Sequence, residues 1–275
     1  MSTIPPVICE VRGDVAISKI CSDFRRVKCY YISTMTAKTI IKFLTGSGAG
    51  SRRQMTAAIK AGRAALNGRI VESFTEPVTA ADRVTLDGER LAQKTQGMLY
   101  VLLNKPKGIV STTSDERGSK TVLDILPPKY RQARLYPVGR LDKESTGLIL
   151  LTNDGDLTYR LTHPKFETEK EYLVQIDGHL TAEQKTRLES GVLLEEGKTS
   201  PAKVRAVNSP PFKYSITIHE GKKREVRRMF ASLKHQVREL KRIRIDTLTI
   251  GGLQEGDTRE LTPREIKALK SLKDA

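Results

Sequence analysis

Residues 137–155 read Pro-Val-Gly-Arg-Leu-Asp-Lys-Glu-Ser-Thr-Gly-Leu-Ile-Leu-Leu-Thr-Asn-Asp-Gly, and they constrain this chain more than any other stretch. Asp142 stands between Arg140 and Lys143, just ahead of Thr146-Gly147 and the apolar run from Leu148 to Leu151. Such a run beside a glycine reads as a buried strand entered through a tight turn. A strand of that kind fixes the loop before it. The flanking cations favour the ionised carboxylate. Taken alone, Arg-Leu-Asp is a surface turn capped by its aspartate. Set at the edge of a buried strand, it is a way of presenting a nucleophilic carboxylate.

The surrounding pattern is mixed. Leu99 to Leu103 reads as a buried strand leading to Lys105-Pro106-Lys107-Gly108. Further strands are expected over 149–152, 171–176, 214–219 and 243–250, with helices over 156–162, 182–190 and 223–233. Strands and helices intersperse without strict alternation, so the expected class is α+β with a mainly antiparallel, mixed sheet over 97–271. A short polar linker, Ala92 to Gln96, separates this segment from a smaller module over 38–92.

In that module Ile40, Ile41, Phe43 and Leu44 suit one short helix. Ser51 and Gln54 read as a capping box opening a second, whose stripe is Met55, Ala58 and Ile59, with Gly62 as its stop. Asn67-Gly68 is a favoured hairpin turn, and Asp87-Gly88 closes a further strand pair near Val84. Two helices leading into a small sheet, with Ser51-Arg52-Arg53 at a helix start, resemble the RNA-binding domain of ribosomal protein S-four. The resemblance implies that Arg52, Arg53, Lys60 and Arg63 face phosphates from one side of the second helix. The first helix departs from it by lacking the usual Arg-Leu opening. Residues 1–37 show no period and are expected to form a poorly ordered extension, of which 1–34 would be a dispensable leader.

Lys and Arg total 48 of the 275 residues against 32 acidic ones, a formal net charge of +16. The excess points to a polyanionic partner, nucleic acid before an anionic membrane. It is also local: between Lys222 and Arg244 there are ten Lys or Arg and two Glu. The cysteines, Cys9, Cys21 and Cys29, have no histidine before His163, which argues against a zinc site. Their odd number suits reduced thiols, and no membrane span or secretory signal is visible, so a cytoplasmic protein is expected.

The run around Asp142 resembles the catalytic motif of pseudouridine synthases, in particular the RsuA/RluB branch acting on ribosomal RNA. Three other segments carry the same likeness: Lys105-Pro106 with Gly108, Glu169-Lys170-Glu171-Tyr172-Leu173-Val174, and Gly221-Lys222-Lys223-Arg224-Glu225-Val226-Arg227-Arg228-Met229-Phe230. On their own these are a turn, a strand with a core tyrosine, and a basic helix start able to bind phosphate. The resemblance implies more. Asp142 is the nucleophile, Tyr172 packs against the target base, and Arg227 supplies the cation that pairs with the aspartate. Arg140 fills the space left by the extruded uridine or contacts a phosphate, and Lys222 and Lys223 contact RNA. It further implies a monomer whose partner is ribosomal RNA in a pre-ribosomal particle. Thr162-His163-Pro164-Lys165-Phe166-Glu167 is nearer to the large-subunit type than to the small-subunit type.

Such an enzyme breaks the bond from uridine N1 to the ribose, turns the uracil, and rejoins it through carbon 5. Neither redox nor group transfer is involved, so no cofactor and no metal is expected. An ordinary aspartate is ionised at neutral pH and needs no activating base, only a cation to aim it. Two other readings compete. Asp142 with Glu144 or Asp154 would make a glycosidase pair. Against that, the chain has no Trp and only 5% aromatic residues, few for a sugar platform. The other is a non-catalytic RNA-binding or ribosome-assembly protein, against which the intact Asp142, Tyr172 and Arg227 speak.

Overall fold

The computed structural model describes residues 38–92 and 97–271, which form two compact units divided between residues 94 and 95. The extension expected over 1–37, and most of the linker expected at Ala92 to Gln96, lie outside the described residues.

In the first unit, strand β1 (Lys38–Thr39) leads into helices α1 (Ile40–Gly46) and α2 (Arg52–Lys60). Strands β2 (Ala64–Leu66), β3 (Arg69–Ile70), β4 (Pro77–Val78), β5 (Val84–Leu86) and β6 (Glu89–Arg90) follow. Four of them make a sheet in the order β3-β2-β5-β6, while β1 pairs with β4. The Ser51–Gln54 capping box forms in both directions. Asn67 and Gly68, at φ 52° and 85°, make the expected hairpin turn, and Asp87-Gly88 repeats it. Ile40, Ile41, Phe43, Leu44, Met55 and Ile59 share one core with the sheet.

The second unit begins with β7 (Tyr100–Lys105), β8 (Tyr136–Val138) and β9 (Thr146–Thr152), then α3 (Gly155–Thr162). Next come β10 (Lys170–Ile176), α4 (Ala182–Ser190), and the short pair β11 (Leu193–Leu194) and β12 (Gly197–Lys198). Strands β13 (Lys203–Ser209) and β14 (Phe212–Ile218) precede α5 (Glu225–Ser232). Finally β15 (Val237–Ile245), β16 (Leu248–Thr249) and β17 (Thr258–Glu260) lead to α6 (Pro263–Lys270).

Nine of these strands form one sheet, ordered β13-β14-β10-β15-β9-β7-β17, with β16 and β8 attached to β15 and β9. Every pairing is antiparallel except β15 with β9, which touch over Lys241↔Thr146 and Arg242↔Gly147. The class is therefore α+β and mainly antiparallel, as expected. The brief parallel contact is a seam between two antiparallel halves, and the loop carrying Asp142 enters β9 there.

The unbroken apolar run of β9 is explained by burial on both faces. Leu148 and Leu150 join Leu157, Leu161 and Leu269 on one side, while Ile149 and Leu151 join Val101, Leu103, Val122 and Tyr130 on the other. Gly147 does more than turn the chain. At φ +103° a Cβ there would collide with the backbone carbonyl and amide of Arg242, so the seam can close only over a glycine.

The sequence pattern misplaced some boundaries. Strand β15 begins at Val237 rather than near 243, because Arg238, Glu239, Lys241, Arg242 and Arg244 interrupt its apolar run. Helix α4 falls at the expected residues, and α6 was not anticipated.

Candidate active site

Asp142 sits on a loop whose backbone is tied down at each consecutive carbonyl. Arg140 O accepts from the Arg242 guanidinium at 3.5 Å, and Leu141 O from the Ser111 hydroxyl at 2.9 Å. Asp142 O accepts from Ser145 N–H at 3.0 Å, Lys143 O from Gly108 N–H at 2.9 Å, and Glu144 O from Arg227 Nη2 at 3.4 Å. Ser111 Oγ also takes the Leu141 N–H at 3.1 Å. A backbone held at this many points leaves its carboxylate little freedom.

Around the carboxylate the charges are mostly positive. Arg224 Nη1 lies 3.8 Å from Asp142 Oδ2, with the two side chains 48% and 32% exposed. Arg224 takes a left-handed backbone conformation, φ 51°, at the residue preceding α5. Arg227, one turn into that helix, points elsewhere. Its Nη1 donates to Val237 O at 2.9 Å, and its Nη2 reaches Glu144 O and Ser145 Oγ, both at 3.4 Å. Burial pulls the Arg227 guanidinium below its ordinary pKa, and Arg224 adds to this, while Asp142 and Glu144 oppose it. The expected pairing of Arg227 with Asp142 thus divides between two arginines. Arg224 makes the ion pair, and Arg227 braces the loop while still feeling the carboxylate's charge. Residue pattern alone could not choose between them, since the αL residue before the helix decides which arginine turns toward the loop.

Beneath the loop lies Tyr172, 8% exposed on central strand β10 and sharing a buried cluster with Leu141, Val226 and Phe230. Directly across on β15 is Arg242, 3% exposed, whose Nε donates to Leu148 O at 2.8 Å. Lys105 is wholly buried, with Nζ on Pro106 O at 2.8 Å and facing Lys143 O at 3.5 Å. Burial lowers its amine to about 8, against the pull of Glu144, Glu255 and Asp142. Lys170, two residues before Tyr172 on the same face, is likewise lowered to about 8 by burial and by Arg242. Ser111, Arg224 and Arg242 escaped the sequence reading. Only the basic density of 222–244 hinted at the two arginines, and nothing hinted at Ser111.

The remaining candidates separate. Arg140 and Lys223 are exposed and free to meet a polyanion. Lys222 is engaged internally, with Nζ 2.9 Å from Glu220 and 3.1 Å from Lys198 O. Arg52, Arg53 and Lys60 are exposed on α2. Arg63 lies beyond the end of α2, and Asp87 takes its guanidinium through two hydrogen bonds of 2.6 and 2.5 Å, so it does not share their face. Asp154 is structural. It caps α3 through Asp156 and Leu157 N–H, accepts from Tyr100 Oη at 2.7 Å, and has Lys270 Nζ at 3.3 Å. That leaves the two-carboxylate reading without Asp154. Among the described residues no group of three or more His, Cys, Asp or Glu is placed to hold a metal, and no helix is long and apolar enough to cross a membrane.

The sequence profile of the RNA pseudouridylate synthase family matches residues 99–232, a span that includes Asp142, Tyr172, Arg224 and Arg227. A Bacillus subtilis protein named ribosomal large subunit pseudouridine synthase B is 40% identical over 237 residues, covering 85% of this chain and 96% of that protein. A Pseudomonas aeruginosa protein of the same name is 39% identical, covering 80% of this chain and 60% of its own length. A solved crystal structure of a pseudouridylate synthase superposes with a TM-score of 0.61 at 33% identity, over 85% of this chain and the whole of the other. Identity of that degree over so much of the sequence means that the chain belongs to the RNA pseudouridine synthases, and within them to the RsuA/RluB type.

Proposed function

We propose that this enzyme converts a uridine of ribosomal RNA, in the large subunit, to pseudouridine with Asp142 as nucleophile. The observation that carries the reading is the loop from Arg140 to Glu144, braced at every carbonyl, with Asp142 beside Arg224 and Leu141 in one buried cluster with Tyr172. The large-subunit names of relatives at 40% and 39% identity support the choice of RNA. The target uridine leaves its stack, and Arg140, exposed on the same loop, fills the gap. Tyr172 stacks on the ring. Asp142 attacks either the anomeric carbon or ring carbon 6, and Arg224, 3.8 Å away, aims its carboxylate while Arg227 braces the loop.

The first unit, 38–92, acts as an S-four-like RNA-binding module through Arg52, Arg53 and Lys60. The core over 97–271 holds the chemistry. The enzyme works as a cytoplasmic monomer on a pre-ribosomal particle, without cofactor or metal.

The test is pseudouridine mapping across both ribosomal RNAs from a deletion strain, complemented with wild-type or Asp142→Asn protein. One large-subunit position should lose its pseudouridine and regain it only with wild type. Loss at a small-subunit position would overturn the subunit assignment. Restoration by Asp142→Asn would overturn the nucleophile and favour a binding or assembly role.

A further inference from the structure

Arg242 has a donor that the fold leaves unused. The side chain is 97% buried, being 3% exposed, with Nε committed to Leu148 O and Nη1 to Arg140 O. Its Nη2 is buried with no hydrogen-bond partner among the described residues. A buried donor without an acceptor is costly, and natural structures keep few of them. This one lies on the face that matters. Arg242 pairs directly with Tyr172 across β10 and β15, so both side chains leave the sheet on the same side, beneath the loop that carries Leu141 and Asp142.

The charge around it is also unbalanced. Burial draws the Lys105 and Lys170 amines down to about 8, and both also feel Arg242 as a like charge, Lys170 more than Lys105. Glu225, the carboxyl that Lys170 feels, is itself pushed up by burial and by Glu220, which limits the counter-charge it supplies. The neighbouring donor is already spent, since Lys105 Nζ faces Pro106 O and Lys143 O.

Both routes open to Asp142 put negative charge on uracil O4. If the carboxylate adds to carbon 6, the electrons of the ring double bond move through carbon 5 into O4 as an enolate, and the C1′–N1 bond then breaks with its electron pair kept by N1. If the C1′–N1 bond breaks first, its electron pair stays on N1 and delocalises to O4 and O2, while an Asp142 oxygen bonds to C1′. In either case carbon 5 then joins C1′, the carboxylate is released, the proton leaves carbon 5 and N1 gains one. The net change is an isomerisation.

We propose that the Arg242 guanidinium is the binding site for uracil O4, its Nη2 donating to that oxygen as negative charge builds there. A preorganised donor aimed at a developing oxyanion in a dry site is among the stronger devices a protein has. The inference rests on Asp142 and Tyr172 framing the uridine as described above.

The test uses the full-length enzyme and an RNA fragment spanning the uridine it converts. That position is made as uridine, 4-thiouridine or 2-thiouridine, each tritiated at carbon 5, and tritium release is followed in single turnover. Sulfur accepts hydrogen bonds poorly, so wild type should slow by about tenfold or more on the 4-thio RNA. The 2-thio RNA should be affected much less. Arg242→Met should be slow on all three, with the ratio of uridine to 4-thiouridine rates falling toward one. Arg242→Lys, which keeps the charge without the fork, should also lose most of that ratio and serves if Arg242→Met does not fold. Wild type that treats the 4-thio and 2-thio RNAs alike would overturn the inference, as would a folded variant retaining the wild-type ratio. Failure of wild type to release tritium from the unmodified RNA would instead sink the functional reading beneath it.

Discussion

Arg224 Nη1 stands 3.8 Å from Asp142 Oδ2, whereas Arg227, three residues on, spends its guanidinium on Val237 O, Glu144 O and Ser145 Oγ. The two arginines therefore differ in kind. The Arg224 pair is half exposed and adds at most about 1 kcal/mol to stability. Arg227 ties α5 to both the Asp142 loop and β15. Arg224→Ala should cut turnover about tenfold or more and leave the melting temperature nearly unchanged. Arg227→Ala should cut turnover and also destabilise the fold by about 2 kcal/mol. Single-turnover rates and denaturant unfolding on both variants check this, and equal stability losses would refute the division.

Gly147 offers a test of the seam. Gly147 and Gly108 both have positive φ, but only at Gly147 would a Cβ meet backbone, that of Arg242, whereas Gly108 has nothing within 4 Å. Gly108→Ala carries conformational strain of about 1 kcal/mol. Gly147→Ala adds a clash that can be relieved only by parting β9 from β15, and should cost about 2 kcal/mol more. Because the parted strands carry the Asp142 loop and Arg242, its turnover should fall further than its stability alone explains. Chemical unfolding of the pair, with rates measured well below their midpoints, separates the two effects.

Asp142 and Asp154 should give opposite phenotypes. Asp142→Asn is near-isosteric on a loop held by its backbone, so folding and RNA affinity should persist while turnover falls below about 1%. Asp154→Asn should leave turnover at saturating RNA nearly intact and lose about 1–2 kcal/mol of stability. Burial pushes the Asp154 carboxyl up, but the Leu157 N–H, Tyr100 hydroxyl and Lys270 outweigh it and hold its pKa below the ordinary value. Its contribution is thus present at neutral pH and disappears as pH falls through that depressed value. The wild-type excess in melting temperature over Asp154→Asn should shrink on acidification. An equal loss of activity in both variants would restore the two-carboxylate hydrolase.

These contrasts mark what the sequence could show. The β9 run and the Asn67-Gly68 turn were legible because each rests on local chemistry, burial on both faces in one case and left-handed backbone in the other. Asp142 and Tyr172 became candidates through family resemblance. Arg224 and Arg242 were not, since their roles depend on an αL residue before a helix and on a cross-strand register. The Arg63–Asp87 pair was hidden for the same reason, since only the fold brings Asp87 against it.

Glu225 should destabilise the enzyme in mild alkali. It is 4% exposed, and burial first, then Glu220, raise its carboxyl above the ordinary range. A raised acid favours the folded state most at low pH. Stability is then lost as pH climbs from the unfolded value through the folded one, where the buried group must ionise. Glu225→Gln removes that charge and keeps an acceptor for Lys222 N–H, now bonded at 2.9 Å. The variant should therefore melt higher than wild type near about pH 8.5, with the advantage closing by about pH 5. A variant that is less stable at both values would show that the carboxylate is needed ionised.

The two units should separate in function. Each has its own buried cluster, Ile40 to Val84 in one and the three sheet-facing clusters in the other, so a 97–275 fragment should fold alone. The fragment keeps Asp142, Tyr172, Arg224, Arg227 and Arg242 and loses the exposed Arg52, Arg53 and Lys60. Its affinity for ribosomal RNA should drop, with a shallower dependence on salt, since fewer phosphates are neutralised. Turnover at saturating RNA should change much less. Arg63→Ala in the full chain, by contrast, should move RNA affinity less than Arg53→Ala, because its charge is already answered by Asp87. Single-turnover rates across RNA concentrations, at two salt levels, test all three proteins together. A folded fragment that stays inactive at saturating RNA would show that the first unit helps to build the active site, and the division of labour would fail.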